Sequence, residues 1–448
     1  MIALTQQPEA VSGSASRLAG GRPKYRQLFS NMGSLYVAHF ASYLLPLVTI
    51  PVLARRLGPG AYGTLAAFQG IAFYANILIE FGFGLSATRE VSQNRSDSKQ
   101  LGHILSSVLA AKAVLTIAAW LGLLALGTLV PALKHQWALL GAAMIFSLGQ
   151  SVSMSWFFLG LESVRLTAIC DLSGRLLSTL LLLRLVRQPE DAWLSLALPG
   201  VGALLAALVP FWLAAQMFPL SRPSLSSIWQ TLRGGWVMFL SRSVSGFTNA
   251  SNVLILSFYA SPEIVGYFSA GERINRSFIA ALFPACQALY PRLSFLVKVD
   301  REGAARLIRR VLSIMLLIAV AVFAIIYVSA PLLVQILLGP GFDAAATALR
   351  ILSGIILFRV VADVLGLQWM VPLGHERAFG WITLLACAVN LILASILAPR
   401  FQQNGMAMSA LSSEVLIAVA ITIYLLFIGI FPVAPRWREK LRCAEVAV

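Results

Sequence analysis

The stretch Gly235–Arg292, GWVMFLSRSVSGFTNASNVLILSFYASPEIVGYFSAGERINRSFIAALFPACQALYPR, decides how this chain is read. It divides into two long apolar helices joined by the short polar turn Tyr259–Glu263. Each predicted helix nevertheless carries a polar stripe. Arg242, Ser245, Asn249 and Asn252 are spaced i, i+3, i+7, i+10, which puts them on one side of a helix. Ser269, Glu272, Arg273 and Arg276 repeat an i, i+3, i+4, i+7 pattern on the next. A charge near the centre of a bilayer costs about 2.5–3.5 kcal/mol on insertion scales, so these stripes need a wet or paired environment. A water-filled cavity facing an anionic partner provides one.

Outward from that stretch the chain keeps the same character. Of its 448 residues 58% are hydrophobic and 12% charged, and the mean hydropathy is +0.82. Soluble globular chains carry about 25% charged residues, so the composition implies a polytopic membrane protein. Windows of about 19–25 apolar residues place twelve spans near 31–53, 61–86, 104–130, 137–160, 164–184, 193–217, 234–258, 264–289, 309–330, 346–371, 379–398 and 405–431. The predicted organisation is a polar tail over 1–30, a first lobe over 31–217, a linker over 218–233, a second lobe over 234–431 and a tail over 432–448. No apolar h-region with a cleavage site follows the first tail, so it reads as retained. With the N-terminus inside, 21 of the 34 Lys and Arg fall in cytoplasmic segments and seven on the opposite side. That bias puts both termini in the cytoplasm. The net charge of +16 is spread over short loops and forms no single basic block, which argues against a nucleic-acid partner.

The two halves echo one another. Residues 62–71, YGTLAAFQGI, align with 265–274, VGYFSAGERI, at an offset of 203, and the same offset carries Arg89 onto Arg292. Leu57-Gly58-Pro59-Gly60 recurs as Leu338-Gly339-Pro340-Gly341, although at a loop that is not equivalent. Six spans per half give both halves one topology, so duplication implies parallel repeats about an axis along the membrane normal, with a path between them. The expected fold is an all-α integral membrane protein: twelve transmembrane helices in two pseudo-symmetric six-helix lobes around a central cavity.

Further charges inside the spans come as i, i+4 pairs: Asp171 with Arg175, Glu272 with Arg276, and Arg359 with Asp363. Such pairs face one another on a helix and lower the cost of both charges. They read either as neutralised packing devices or as an ion or substrate relay. Arg242 and Arg273 have no acidic residue at i±3 or i±4 and read as ligand contacts. Glu80 shares a face with Gln69 and Asn76 and is a candidate proton carrier; the alternative is a pair with a basic residue on another span, such as Lys112. Glu414 has the same two readings. The four cysteines show no CxxC or metal spacing, and there is no Gly-Lys dipeptide, hence no P-loop and no nucleotide, metal or other cofactor to expect. All connections are short, which leaves no soluble catalytic domain and argues against a membrane glycosyltransferase or polymerase.

Several segments carry a resemblance. Tyr43-Leu44-Leu45-Pro46, Leu57-Gly58-Pro59-Gly60, Phe81-Gly82-Phe83-Gly84-Leu85-Ser86-Ala87-Thr88-Arg89-Glu90, Val265-Gly266-Tyr267 with Ala270-Gly271-Glu272-Arg273-Ile274, Tyr290-Pro291-Arg292-Leu293 and Leu337-Leu338-Gly339-Pro340-Gly341-Phe342 look, in this order, like the Wzx-type polysaccharide flippases. These belong to the multidrug/oligosaccharidyl-lipid/polysaccharide exporter superfamily. The similarity runs from about Ser34 to Leu425. It implies two six-helix lobes that alternate access to carry polyprenyl-pyrophosphate-linked oligosaccharide repeat units across the bacterial inner membrane for O-antigen or exopolysaccharide synthesis. The cationic cavity of that family maps here onto Arg242, Arg273 and Arg276, with Arg359 as a further candidate. Arg suits pyrophosphate because its planar fork offers several donors to phosphate oxygens. Asn249 and Asn252 are placed to meet sugar hydroxyls. Without a nucleotide site the energy has to come from an ion gradient or from consumption of the product, with Glu80, Asp171, Asp363 and Glu272 as coupling candidates. The expected partners are the lipid-linked oligosaccharide, membrane lipids, a polysaccharide polymerase and a chain-length regulator. The competing readings are a drug or metabolite/cation antiporter of the same superfamily, which favours an acidic cavity, and a non-transporting scaffold of a polysaccharide-assembly complex.

Overall fold

The computed structural model describes residues 25–129, 134 and 136–432, with side chains at 45, 48–240, 243, 251–282 and from 289 onward in that set. Apart from one 3-10 turn and a π-helical segment, the regular elements are α-helices: α1 Tyr25–Glu80, α2 Phe83–Gln93, α3 Ser98–Leu129, α4 Trp137–Ser151, α5 Ser155–Gly160, α6 Val164–Leu185, α7 Leu194–Met217, α8 Leu225–Tyr259, α9 Pro262–Val299, α10 Arg301–Leu337, α11 Ala345–Ser353, α12 Ile355–Val361 and α13 Glu376–Ile428. The 3-10 turn Pro189–Trp193 precedes α7, and the π-helical segment Ala362–Met370 follows α12. Among the described residues no strand occurs. The all-α expectation holds.

Seven described stretches are long and apolar enough to cross a membrane: Val48–Gln93, Ser98–Leu129, Trp137–Gly160, Val164–Leu185, Pro189–Met217, Arg301–Leu337 and Glu376–Ile428. Twelve spans were expected. Part of the difference is chain reversal within one helical run. At 1.5 Å per residue, the 53 residues of α13 would reach about 80 Å, more than twice a hydrocarbon core. The run is interrupted at Gln402 (φ 51, ψ −129), and a Cβ on Gly405 would overlap the carbonyl of Leu397, so the chain doubles back there. This interruption falls inside the predicted connection between the last two spans. Similarly, α1 joins the first two predicted spans across Gly58 (φ 67, ψ 172).

The chain forms two compact units. Among the described residues, Ala67–Ala250 joins those up to Thr49 in the first; the second comprises Ile50–Ala66 and those from Ser251 on. The sequence reading put all of 31–217 in one lobe, whereas the 50–66 segment of α1 packs with the later residues. In the first unit, Gly174 of α6 and Gly202 of α7 meet backbone to backbone, as do Gly149 of α4 and Gly200 of α7. Helices in lipid have little hydrophobic drive to associate, so such small residues supply the close contact. This unit contains an apolar cluster that includes Phe81, Phe83, Val91, Leu101, Leu105 and Phe157. The 81–90 segment contributes to this core: Phe81, Phe83 and Ala87 are buried, and Thr88 donates to the carbonyl of Trp156 at 2.9 Å. In the second unit the core includes Ala66, Val253, Leu256, Val265, Phe268, Leu352 and Met406.

Gly63 and Gly266 make a reciprocal contact inside the second unit. A Cβ on Gly63 would overlap the Pro262 carbonyl oxygen and lie 2.5 Å from the backbone nitrogen of Gly266. Conversely, a Cβ on Gly266 would overlap the Pro59 carbonyl oxygen. Gly63 and Gly266, and likewise Pro59 and Pro262, are related by the same offset of 203. When i meets j′ and j meets i′, a local two-fold relates the contacting segments.

Candidate functional site

The site is built on the start of α9. Pro262 occupies the first helical turn with its φ already set for a helix, and Glu263 beside it suits the positive end of the helix dipole. The Glu263 carboxyl is held below the usual range by its own backbone N–H and the Ser261 hydroxyl. This start fixes where Ser269, Glu272, Arg273 and Arg276 point. The Arg273 guanidinium lies over the Tyr62 ring, 5.3 Å from its centroid. Tyr62 is held edge-on against Phe342 at 5.9 Å, and Phe342 meets Tyr267 edge-on at 6.1 Å. Phe342 follows the second Leu-Gly-Pro-Gly run, whose Gly339 and Gly341 have φ of 85° and 86°. Arg55 donates to the Ile336 carbonyl, closing the same corner. Three segments read separately in the sequence, 57–63, 262–273 and 338–342, therefore converge.

Glu272 and Arg276 form the expected i, i+4 pair at 2.9 Å; Arg276 remains 45% exposed. Ser269, expected on the same wet stripe, is buried and donates to the Gly266 carbonyl at 3.2 Å. The side chains of Arg242 and Asn249 lie outside the described residues. Of the two asparagines on that stripe, Asn252 has a described side chain. Expected at a sugar-binding surface, it is 5% exposed, and its Oδ1 accepts from Asn390 Nδ2 at 2.8 Å. Ser409 donates to Asn390 Oδ1 at 2.8 Å, so one polar network ties α8 to both halves of α13. Buried amides need partners, and Asn252 has found its partner in protein.

A second charged group surrounds Arg359. It pairs with Asp363 one turn on at 3.3 Å, as expected, and its Nη1 donates to Glu414 Oε1 at 3.1 Å. The other Glu414 oxygen is buried with no hydrogen-bond partner among the described residues. Asp363 sits in the π-helical segment, a wider turn that displaces side chains from the α register. One guanidinium against two carboxylates leaves an excess negative charge, which a proton or a small cation would neutralise.

In the first unit, Glu80 pairs with Lys112 at 2.7 Å, and the Lys112 side chain is 1% exposed. The alternative to a lone proton carrier is what the structure contains. Asp171 accepts from the Ser155 hydroxyl at 3.0 Å, a partner the i, i+4 spacing did not point to. No group of three or more His, Cys, Asp or Glu placed for a metal occurs among the described residues. The sequence reading missed Tyr62 and Phe342 as members of the Arg273 corner. It also left Glu414 without its partner, since nothing local links positions 55 residues apart.

The family model for polysaccharide biosynthesis proteins matches residues 28–297, more than half of the chain. The chain belongs to the polysaccharide biosynthesis protein family. Two bacterial proteins resemble it along most of their length. The putative O-antigen transporter of Escherichia coli (strain K12) is 27% identical over 389 residues, 86% of this chain and 94% of its own. That of Shigella dysenteriae is 26% identical over 395 residues, covering 87% and 98%. Among solved structures, an inward-facing multidrug resistance MATE family transporter of the MOP superfamily superposes with a TM-score of 0.69 at 15% identity, covering 89% of this chain and 97% of its own. The lipid II flippase MurJ in an inward closed conformation gives 0.66 at 14%, covering 87% of each. At these identities the family member shares their fold. The resemblance drawn from the sequence motifs stands.

Proposed function

We propose that this protein translocates polyprenyl-pyrophosphate-linked oligosaccharide repeat units across the bacterial inner membrane by alternating access. The observation that carries the reading is the pair of guanidinium groups on α9, with Arg273 fixed over Tyr62 and Arg276 half-exposed one turn on. A lipid-linked pyrophosphate sugar has an anionic centre, a large polar head and a long apolar tail. Guanidinium groups on a membrane helix answer the first, and lipid beside the helices answers the last. The names of the two bacterial relatives, putative O-antigen transporters, point to the same substrate class. We place Arg242 with Arg273 on the pyrophosphate, in twelve spans forming two six-helix lobes around a central cavity, with both termini in the cytoplasm. Arg359 with Asp363 and Glu414 is the coupling group, because its excess negative charge takes up a proton or cation from a gradient. A polymerase and a chain-length regulator are the partners that would consume the product.

Reconstitution in liposomes with a fluorescent polyprenyl-pyrophosphate oligosaccharide tests this reading, with an applied proton or sodium gradient. Wild-type protein should flip the probe, and Arg273→Ala and Arg242→Ala should each lower the rate at least about tenfold with reconstituted protein unchanged, the scale of a lost charge-assisted contact. Undiminished flipping by both variants removes the assignment.

A further inference from the structure

Ile50–Ala66 is an unusual part of the second unit, because the helix that supplies it belongs to the first unit on either side. The chain passes between units within α1 at Thr49/Ile50 and again at Ala66/Ala67, and a third time within α8 at Ala250/Ser251. Stepping back from Ala250 by the repeat offset of 203 gives position 47, beside the first of these passages. This segment is a strap whose ends are anchored in one unit and whose middle is docked in the other. Within it, Gly58 sits at φ 67 and ψ 172, a region only glycine occupies readily, with open space around it. The docked face contains the reciprocal Gly63–Gly266 crossing, where backbone meets backbone with no side chain between. Tyr62 is the next residue. It is 1% exposed, its ring carries Arg273, and its hydroxyl is buried without a hydrogen-bond partner among the described residues. An unpaired buried hydroxyl disfavours the docked state, so docking is not held as firmly as it could be.

We propose that Tyr62 is the positioning residue for Arg273, and that the Gly63–Gly266 crossing is the joint that makes and breaks their contact. With the crossing closed, the ring face fixes the guanidinium for its anionic ligand. When the strap undocks, Arg273 loses that support and the ligand is released. The positioning half rests on Arg273 binding an anion, as proposed above; the joint does not.

Two arms test this separately. In a background with Cys170, Cys286, Cys387 and Cys443 replaced by Ser, Val265→Cys is introduced at a position 1% exposed in the docked state. A membrane-impermeant maleimide should label it slowly. Gly63→Ala and Gly266→Ala should each raise the labelling rate about tenfold or more, since either methyl group occupies carbonyl space. Wild-type labelling in both glycine variants, present at normal levels, overturns the joint. Should they fail to accumulate, Gly60→Cys with Glu263→Cys serves instead, because a Cβ at position 60 lies 3.8 Å from Glu263 Cγ. Oxidation should stop polysaccharide export and reductant should restore it; export by the fully cross-linked protein overturns the joint. In the second arm, Tyr62→Leu should raise the KM for the fluorescent lipid-linked oligosaccharide about tenfold with kcat little changed, and Tyr62→Phe should keep the wild-type KM. If Tyr62→Leu leaves KM unchanged while Arg273→Ala raises it, the positioning role is overturned. If Arg273→Ala also leaves it unchanged, the substrate reading falls and the joint stands on the first arm.

Discussion

Lys112 shows what a single charge can mean in this chain. Its ammonium is fully buried among apolar helices and rests 2.7 Å from Glu80. Taking both ions out of water is expensive, and the attraction between them roughly offsets that loss only while both are present. Lys112→Ala therefore strands a carboxylate and should destabilise the protein by about 3–5 kcal/mol. The double substitution Lys112→Met with Glu80→Gln should recover most of that loss. Thermal melting of the purified protein in detergent, followed by tryptophan fluorescence, measures both, and a double variant as unstable as the single would refute the account. The double variant should also retain export. From the sequence, Glu80 was legible as a charge needing an explanation, but its partner lies 32 positions away. The i, i+4 pairs Glu272–Arg276 and Arg359–Asp363 were legible because helix geometry alone fixes them. Asn252 illustrates the converse, since its partner lies far along the chain. Its place on a polar stripe was correct, but only packing turned that stripe toward Asn390.

At the scale of elements, the segment after α1 departs most from its predicted form. The second span was expected to run to position 86, yet α1 ends at Glu80 and α2 begins at Phe83. The turn between them has positive φ at Phe81 (41°) and Gly82 (77°). A Cβ on Gly82 would lie 2.6 Å from the Cβ of Met238, so the site tolerates neither the conformation nor the volume of another residue. Gly82→Ala should cost roughly 1–2 kcal/mol from backbone strain alone, with the clash against α8 adding to it. A lower melting temperature and a smaller membrane pool are expected. Unchanged stability would mean that the turn can relax without loss. Hydropathy could not reveal this turn, because Phe81, Phe83 and Leu85 are apolar whether the chain runs straight or bends. The reversal in α13 was more legible, since Pro399, Gln402 and Gln403 interrupt the apolar pattern near the observed break. The π-helical segment left no trace in the sequence, because one extra residue per turn changes register and leaves composition untouched.

For the whole molecule, the distribution of Lys and Arg makes a prediction independent of any site. Green fluorescent protein fused after Val448 should fluoresce, as cytoplasmic fusions do, and alkaline phosphatase fused in the Tyr259–Glu263 turn should be active, as external fusions are. Dark C-terminal fusions with inactive turn fusions would invert the proposed orientation. The amino-acid sequence by itself determined that the chain is helical, lives in a bilayer, carries similar segments at 62–71 and 265–274 and belongs to the polysaccharide biosynthesis protein family. These properties follow from composition, from periodicity along single helices and from short motifs, all of which are local. Only the tertiary structure decided that the 50–66 strap docks with the later residues, that Gly63 and Gly266 cross, and that Tyr62 carries Arg273. Those contacts join residues about two hundred positions apart. In lipid, no hydrophobic pattern specifies which helix meets which, so the pairing is settled by close packing of small residues and by where buried charges find partners.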